Sequence, residues 1–566
     1  MITLRIDFFR SFTAPVAGAL LVAALAAGCA TSEAMRQQAR SEIASATAKL
    51  DRADYAGALA DFQRALTSDP HAGTAEFFFR RGNAKFGLGT FDGAIADYDQ
   101  AIELDRGYVA AFCGRANAMA ANGDRPGAIA WVDKALALQP DNESALSQRG
   151  RIKRDLGRLD DALADLDRAL ALDASDAEAC FVRGSVRTRK GNADGALADY
   201  ERALALRPNY FDARLARGVS RVAKADYVGA GADFDAAIAT DPTSAFAFLE
   251  RGFGKNQQND HDGAIADYSR SLALKPDYDD ALMHRGAART AKGDRTGAIE
   301  DLNRAAQLNP NRPETYFNRA IARNGNGDAA GAIADYTHAI ELRPTFWLAW
   351  HYRASPKHAL GDEAGAIADC DRAIALRADN PPAYIDRALY KFYAGDTDSA
   401  LADLDRVLTI RPTDARALIL RGQIRRQRHE FDAAITDYTR AIQLDGASNL
   451  SHIYRYVAWQ QSGRTETKAN FASEVAGWRD SWNKMIGRYL VGDATEAAFV
   501  VAAKDADRGG QPRRQCEAAF YVGLMHLLSD ERPAAGETFQ RCMALAQPAV
   551  VETLFAREEL RRLDQQ

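Results

Sequence analysis

Residues able to do chemistry are spread thinly along this chain, and their spacing argues against most of it. The 566 residues hold six cysteines and nine histidines. No phosphate-cradling GxxxxGK[ST], no HExxH, no GxSxG and no paired CxxC occurs. The run "GNGDAA" at Gly325 fits a loose dinucleotide pattern, but that pattern works only where a strand delivers the glycines to a pyrophosphate. Helical periodicity flanks it on both sides. "NDHDG" at Asn259 offers oxygens and an imidazole of the kind a cation loop uses, again where a turn between two helices is expected. After Trp478 the only histidine is His526. The chain is therefore expected to be no enzyme and to hold no cofactor or metal.

One cysteine has a context that does predict chemistry. Arg5 and Arg10 precede an uncharged run from Ser11 to Ser32, apolar between Ala14 and Gly28 and closing on small residues at Cys29. That order is the layout of a secretory signal peptide. Leu25-Ala26-Ala27-Gly28-Cys29 resembles a bacterial lipobox, which implies cleavage after residue 28 and lipid attachment to the Cys29 sulfur. Ala30, in place of an aspartate, implies by the same resemblance the periplasmic face of the outer membrane. Retention of the segment as a membrane helix, or simple cleavage to a soluble periplasmic chaperone, are the alternatives. The net charge of −5 gives no electrostatic basis for nucleic-acid binding.

Binding chemistry is concentrated in aromatics and amides. "TFWLAWHYRASPKHAL" carries Trp347, Trp350 and His351, and the next stretch carries Tyr390 and Tyr393. Trp350 stands at a core register, whereas Trp347 and His351 fall nearer an exposed face, where an aromatic can anchor a partner. Pro356 should interrupt and kink that helix. Asn83 and Asn117 occupy equivalent, face-lining places.

These residues must be positioned by a repeat. "GAIADYDQAIELD" at Gly93 returns as "GALADYERALALRP" at Gly195 and "GAIADYTHAIELRP" at Gly331, and the alanine after the glycine marks Ala58, Ala94, then every 34th residue to Ala434. Each unit reads as two amphipathic helices about a Gly-containing turn. A small residue at Gly82, Gly150 or Gly184 faces a bulky one at Tyr98, Leu166 or Tyr200, so that the helices can approach closely.

This pattern resembles the tetratricopeptide repeat (TPR), which implies an all-α, right-handed α-solenoid of about 12–14 helix-turn-helix units with a helical C-terminal cap. The expected divisions are a signal peptide over 1–28, a tether over 29–38, twelve units over 39–448, a degenerate thirteenth over 449–482, and a C-terminal region over 483–566 with a last unit at 516–549. That tail is similar to the NlpI-type lipoproteins. The resemblance implies a non-enzymatic periplasmic scaffold that binds proteins or extended peptides in its groove, by analogy peptidoglycan hydrolases or a periplasmic protease in cell-envelope maintenance. The alternative is an assembly factor for a secretion, pilus or exopolysaccharide export machine.

Two side-chain expectations follow. Cys516 and Cys542 fall at one end of the last helix pair, where a disulfide and a pair of small core residues are both open. An arginine stands before each small first-helix residue, and an aspartate three places after nearly every marker alanine; Ser45 replaces the first arginine and Phe471 the last aspartate. Pairing each aspartate with the following unit leaves neither end alone. The expected ladder is thus Asp61 to Arg81, Asp97 to Arg115, Asp199 to Arg217, Asp233 to Arg251 and Asp437 to Arg455.

Overall fold

The computed structural model describes residues 33–444, 449–464, 467–504, 511–545 and 551–565. Cys29 and the segment around it lie outside the described residues. Among the described residues the fold is helical throughout, with no strand, and no helix is long and apolar enough to cross a membrane.

First helices of 13 residues, such as Ala75–Gly87 and Ala177–Arg189, alternate with second helices of 14, such as Phe91–Leu104 and Ala193–Leu206. The turn between them reverses through a left-handed residue, usually glycine, as at Gly191 with φ 77° and Gly327 with φ 86°. Asn259 fills the same place with φ 62°, so "GNGDAA" and "NDHDG" are both repeat turns. The side chain of Asp226, Asp260 or Asp328 then caps the second helix by accepting from the amide of Gly229, Gly263 or Gly331, satisfying a donor that the helix itself leaves free. Second helices end on an extended residue such as Asp69 or Asp241, the conformation a following proline demands.

Close packing within a hairpin follows the expected register. A Cβ on Gly82, Gly184 or Gly422 would come within 2.8, 2.6 or 2.7 Å of the ring of Tyr98, Tyr200 or Tyr438. Each of these rings is almost fully buried, worth about 1.5–3 kcal/mol per side chain.

The chain divides into two compact units, one ending at Gln258 and one starting at Asn259. In the first, a helix over 33–50 opens the array. The tether expected over 29–38 is therefore helical from residue 33, because Ala39, Ile43 and Ala46 continue the apolar spacing of that helix and pack against Phe62 and Phe77. In the second, the helix Trp347–Ala359 runs without a break through Pro356. The thirteenth pair, Asn449–Gln461 and Lys468–Ala476, exchanges the usual sizes: Tyr456 takes the small place and Ala472 the bulky one, and Tyr456 stacks on Phe471 at 4.2 Å. Register returns in Gln511–Leu528 and Arg532–Ala544, where a Cβ on Gly523 would meet Phe539 at 2.7 Å.

The charge ladder takes a different form from the expected one. Arg217 donates to Asp233 of its own unit at 2.9 and 2.5 Å, not to Asp199, and Arg81 holds Asp97 in the same way. The same sixteen-residue pairing joins Arg149 to Asp165, Arg183 to Asp199 and Arg421 to Asp437. A second cation four places on completes each cluster: Lys85 on Asp97, Arg187 on Asp199, Arg221 on Asp233 and Arg425 on Asp437. At the ends, Asp61 accepts from Ser45 and pairs with Lys49, and Arg455 turns to Glu474 and the Trp459 ring. In the unit without the aspartate, Arg115 lies 3.8 Å over Trp131. The inter-unit link survives through a different residue, since Arg115 reaches Asp99 and Arg183 reaches Asp167 of the preceding unit.

Cys516 and Cys542 are free thiols, both fully buried. They sit side by side in the last hairpin, and the Cys516 sulfur lies 3.6 Å from the Thr553 hydroxyl. In this structure they are reduced and pack as small core residues.

Candidate partner-binding grooves

The first helices of successive units lie side by side, and their register positions beside the small core residue line one face. In the first unit of the fold that face holds an open groove of about 540 Å³, lined by Phe79, Asn83, Phe86, Tyr108, Asn117 and Ser144 among others. Phe79 packs against Tyr98 and Tyr108 at 5.9 and 5.2 Å, forming its aromatic floor. Asn83 accepts from the Tyr98 hydroxyl at 2.7 Å and Asn117 from Arg151 at 2.5 Å. Each carboxamide oxygen is thereby fixed, which orients the amide N–H donors along the groove. Cys113 lies between the two asparagines, its thiol pushed up to about 11 by burial, so it is a poor nucleophile there.

In the second unit of the fold the expected aromatic residues do not form one exposed patch. Trp347 is half-buried with the Arg377 guanidinium 4.7 Å over its ring. Trp350 joins the core around Tyr336 and donates to the Pro344 carbonyl at 3.1 Å. His351 is buried and bonded to Asp386 at 2.8 Å. Tyr390 is buried and Tyr393 half-buried, and the His358 ring lies 5.0 and 4.7 Å from them. Tyr390 and Tyr393, but not Trp347, line a bay of about 650 Å³.

The far wall of that bay comes from the C-terminal region. Trp482, Arg513, Glu517 and Glu552 face Tyr390, Tyr393 and Tyr454 across it. Beside it the helix Val551–Leu563 lies on the first helices of the last repeats. Phe555 contacts Phe392 at 6.3 Å and sits 4.0 Å beneath Arg426, and Arg562 donates to the Gln427 carbonyl at 2.6 Å. One continuous core therefore runs from Ile385 through Phe520 to Phe555. None of Glu517, Glu552 and Trp482 was selected by sequence, since they follow the point where the repeat register is lost. His358, seven places after His351 on the same helix, carried the one available signal.

Models of the tetratricopeptide repeat match residues 147–210, 181–245, 257–313 and 385–449, and a TPR repeat model matches 82–123. No curated protein matches the chain. Among solved structures, the APC/C hetero-tetramer Cut9–Hcn1 is 13% identical, with 86% of this chain and 96% of that chain covered and a TM-score of 0.45. YrrB, a TPR protein with an unusual peptide-binding site, is 23% identical over 33% of this chain and 95% of that one, with a TM-score of 0.29. TTC0263, a thermophilic TPR protein in Thermus thermophilus, is 22% identical over 32% of this chain and 99% of that one, with a TM-score of 0.30.

Proposed function

The matched residues are tetratricopeptide repeats, and we propose that the chain is a scaffold that binds extended segments of partner proteins, anchored through Cys29 to the periplasmic face of the outer membrane. The observation that carries the binding reading is the open groove of the first unit, where Asn83 and Asn117 present oriented amide donors beside an aromatic floor. Donors spaced along one face suit the carbonyls of an extended backbone, and the rings beside them suit its apolar side chains. The basic partners a carboxylate clamp would need are replaced by Phe79, Ser144 and Gln148, so the ligand is an internal segment and not a chain terminus. The lipobox-like order before Cys29 supports the anchor, and the NlpI-like tail supports a role in envelope maintenance.

The test places a photo-crosslinking residue at Ser144 in the intact protein in cells and identifies what it captures. Capture of peptidoglycan hydrolases or a periplasmic protease, lost in Asn83→Ala with Asn117→Ala, is the expected result. Components of an export machine would replace envelope maintenance with the assembly-factor reading, and capture indifferent to both asparagines would overturn the groove. Labelled palmitate should enter the wild-type chain and be absent from Cys29→Ser; label retained in that variant would remove the anchor.

A further inference from the structure

The bay of the second unit is lined by one buried carboxylate to which, among the described residues, no side chain donates. Of the carboxylates that line it, Glu517 is occupied on both oxygens, by Trp482 Nε1 and by Arg513 Nε. Asp386 accepts from His351 at 2.8 Å and lies 3.6 Å from Arg416. His358 is held by Glu363 at 2.8 Å. Of the two lining cations, Arg513 is spent on Glu517 and Arg514 lies 5.7 Å over the Trp482 ring. Arg426, behind the wall, bonds Gln461 through Nη1 and lies over the Phe555 ring, with no hydrogen-bond partner on Nε or Nη2. Glu552 is left. It is only 4% exposed and lines the cavity, and among the described residues no side chain donates to it. Burial, and next the charge of Glu517, push its carboxyl up to about 7 against the weaker pull of its own backbone N–H and of the Arg513 and Arg426 charges.

A buried carboxylate that no counter-charge touches directly is costly unless a partner supplies one. The remaining lining suits the same occupant, because Tyr390, Tyr393 and Tyr454 border the bay and tyrosine rings attract a desolvated cation. We propose that this bay is a receptor for one lysine or arginine side chain of a partner segment, with Glu552 as its counter-ion and the tyrosine rings as its walls. The volume of about 650 Å³ accommodates that side chain with its flanking backbone. The inference deepens the scaffold reading and rests on it, but it concerns a different groove from the one lined by Asn83 and Asn117.

The probe is a fluorescein-labelled peptide of alternating glycine, alanine and lysine, blocked at both ends, compared by anisotropy at physiological salt with the same peptide carrying norleucine in place of lysine. The purified chain is expected to bind the lysine peptide, and both norleucine and Glu552→Gln should weaken binding by about tenfold or more, the scale of one lost charge-assisted bond. Glu314→Gln, a carboxylate paired with Arg343 away from the bay, should leave binding unchanged. Because Glu552→Gln could alter the wall itself, the second readout is the Glu552 carboxyl resonance of the wild-type chain, whose titration midpoint should fall when the lysine peptide is added and stay fixed with norleucine. Equal binding of the two peptides, no binding of either, or an unmoved midpoint overturns the assignment. Partner capture at Ser144 that persists alongside such a result leaves the scaffold standing and removes only the bay.

Discussion

Phe555 lies 4.0 Å beneath the guanidinium of Arg426, although 129 residues separate the two in sequence. The contact means that the chain's own C-terminal helix occupies the face on which earlier repeats leave a groove open. Phe392 is covered there by Phe555 of the same molecule. Phe555→Ala should cost about 3–5 kcal/mol locally, the usual range for an aromatic removed from a packed core. Hydrogen exchange read over Ala415–Gln427 should quicken, and a hydrophobic dye should bind the variant more strongly than the wild type. Unchanged exchange in that helix would show that the contact contributes little.

The arginine clusters make a second prediction about which pairs are coupled. Asp199 is 2% exposed and holds Arg183 at 2.6 Å and Arg187 at 2.8 Å, so Asp199→Ala leaves two cations without their shared acceptor. The expected cost is about 3–5 kcal/mol. A double-mutant cycle should give a clear coupling for Asp199 with Arg183 and none beyond error for Asp199 with Arg217. Because an array of repeats does not unfold as one step, the readout is exchange protection of Ala177–Arg189 and Ala193–Leu206 rather than a single midpoint.

The hairpins and their 34-residue register were legible because one physical requirement repeats along the array: a small residue faces a larger one, as Gly82 faces Tyr98 and Gly150 faces Leu166. The ladder was misassigned because each charge was given a single partner. Lys49, Lys85 and Arg187 sit four places after the arginine position on the same helix face, and once they are counted, Asp61 has a cation without borrowing Arg81. The break expected at Pro356 is absent: Trp347–Ala359 ends only three residues beyond the proline, so little helix remains to be redirected. In the C-terminal region the last hairpin was legible, with Gly523 facing Phe539, but the wall it helps to build was not. After Tyr456 and Ala472 exchange sizes the periodic constraint lapses, and nothing local announces that Glu552 will lie opposite Tyr393.

The buried thiols give a third prediction. Cys180, Cys370, Cys516 and Cys542 are buried, and Cys113 is half-buried with its thiol pushed up by burial. A maleimide added to the native chain at neutral pH should therefore label none of these five rapidly, and all five should react after denaturation without reductant. Loss of two of them from the denatured count, with Cys516 and Cys542 recovered in one peptide pair, would mean that the two adjacent thiols have joined.

The last prediction concerns pH and runs opposite to ordinary acid denaturation. Burial and the neighbouring Glu517 raise the Glu552 carboxyl from 4.5 to about 7, so the folded chain holds this proton more tightly than the unfolded chain. Below about pH 4.5 both states are protonated and the group contributes nothing. Between about 4.5 and 7 the unfolded state gives up the proton first, and stability falls as pH rises, levelling off above 7. At 1.36 kcal/mol per unit the full loss is up to about 3 kcal/mol, felt in the bay and the helix Val551–Leu563. Glu552→Gln should abolish this dependence, so that exchange protection of Leu554, Phe555 and Ala556 exceeds the wild type at pH 8 and converges with it near pH 5. A lysine peptide seated in the bay should do the same to the wild-type chain without any substitution, because it supplies at pH 8 a counter-charge in direct contact with Glu552. Protection in the wild type that rises from pH 5 to 8, or that stays flat, would place the Glu552 carboxyl near its ordinary value and remove the cost on which the bay's preference for a cation depends.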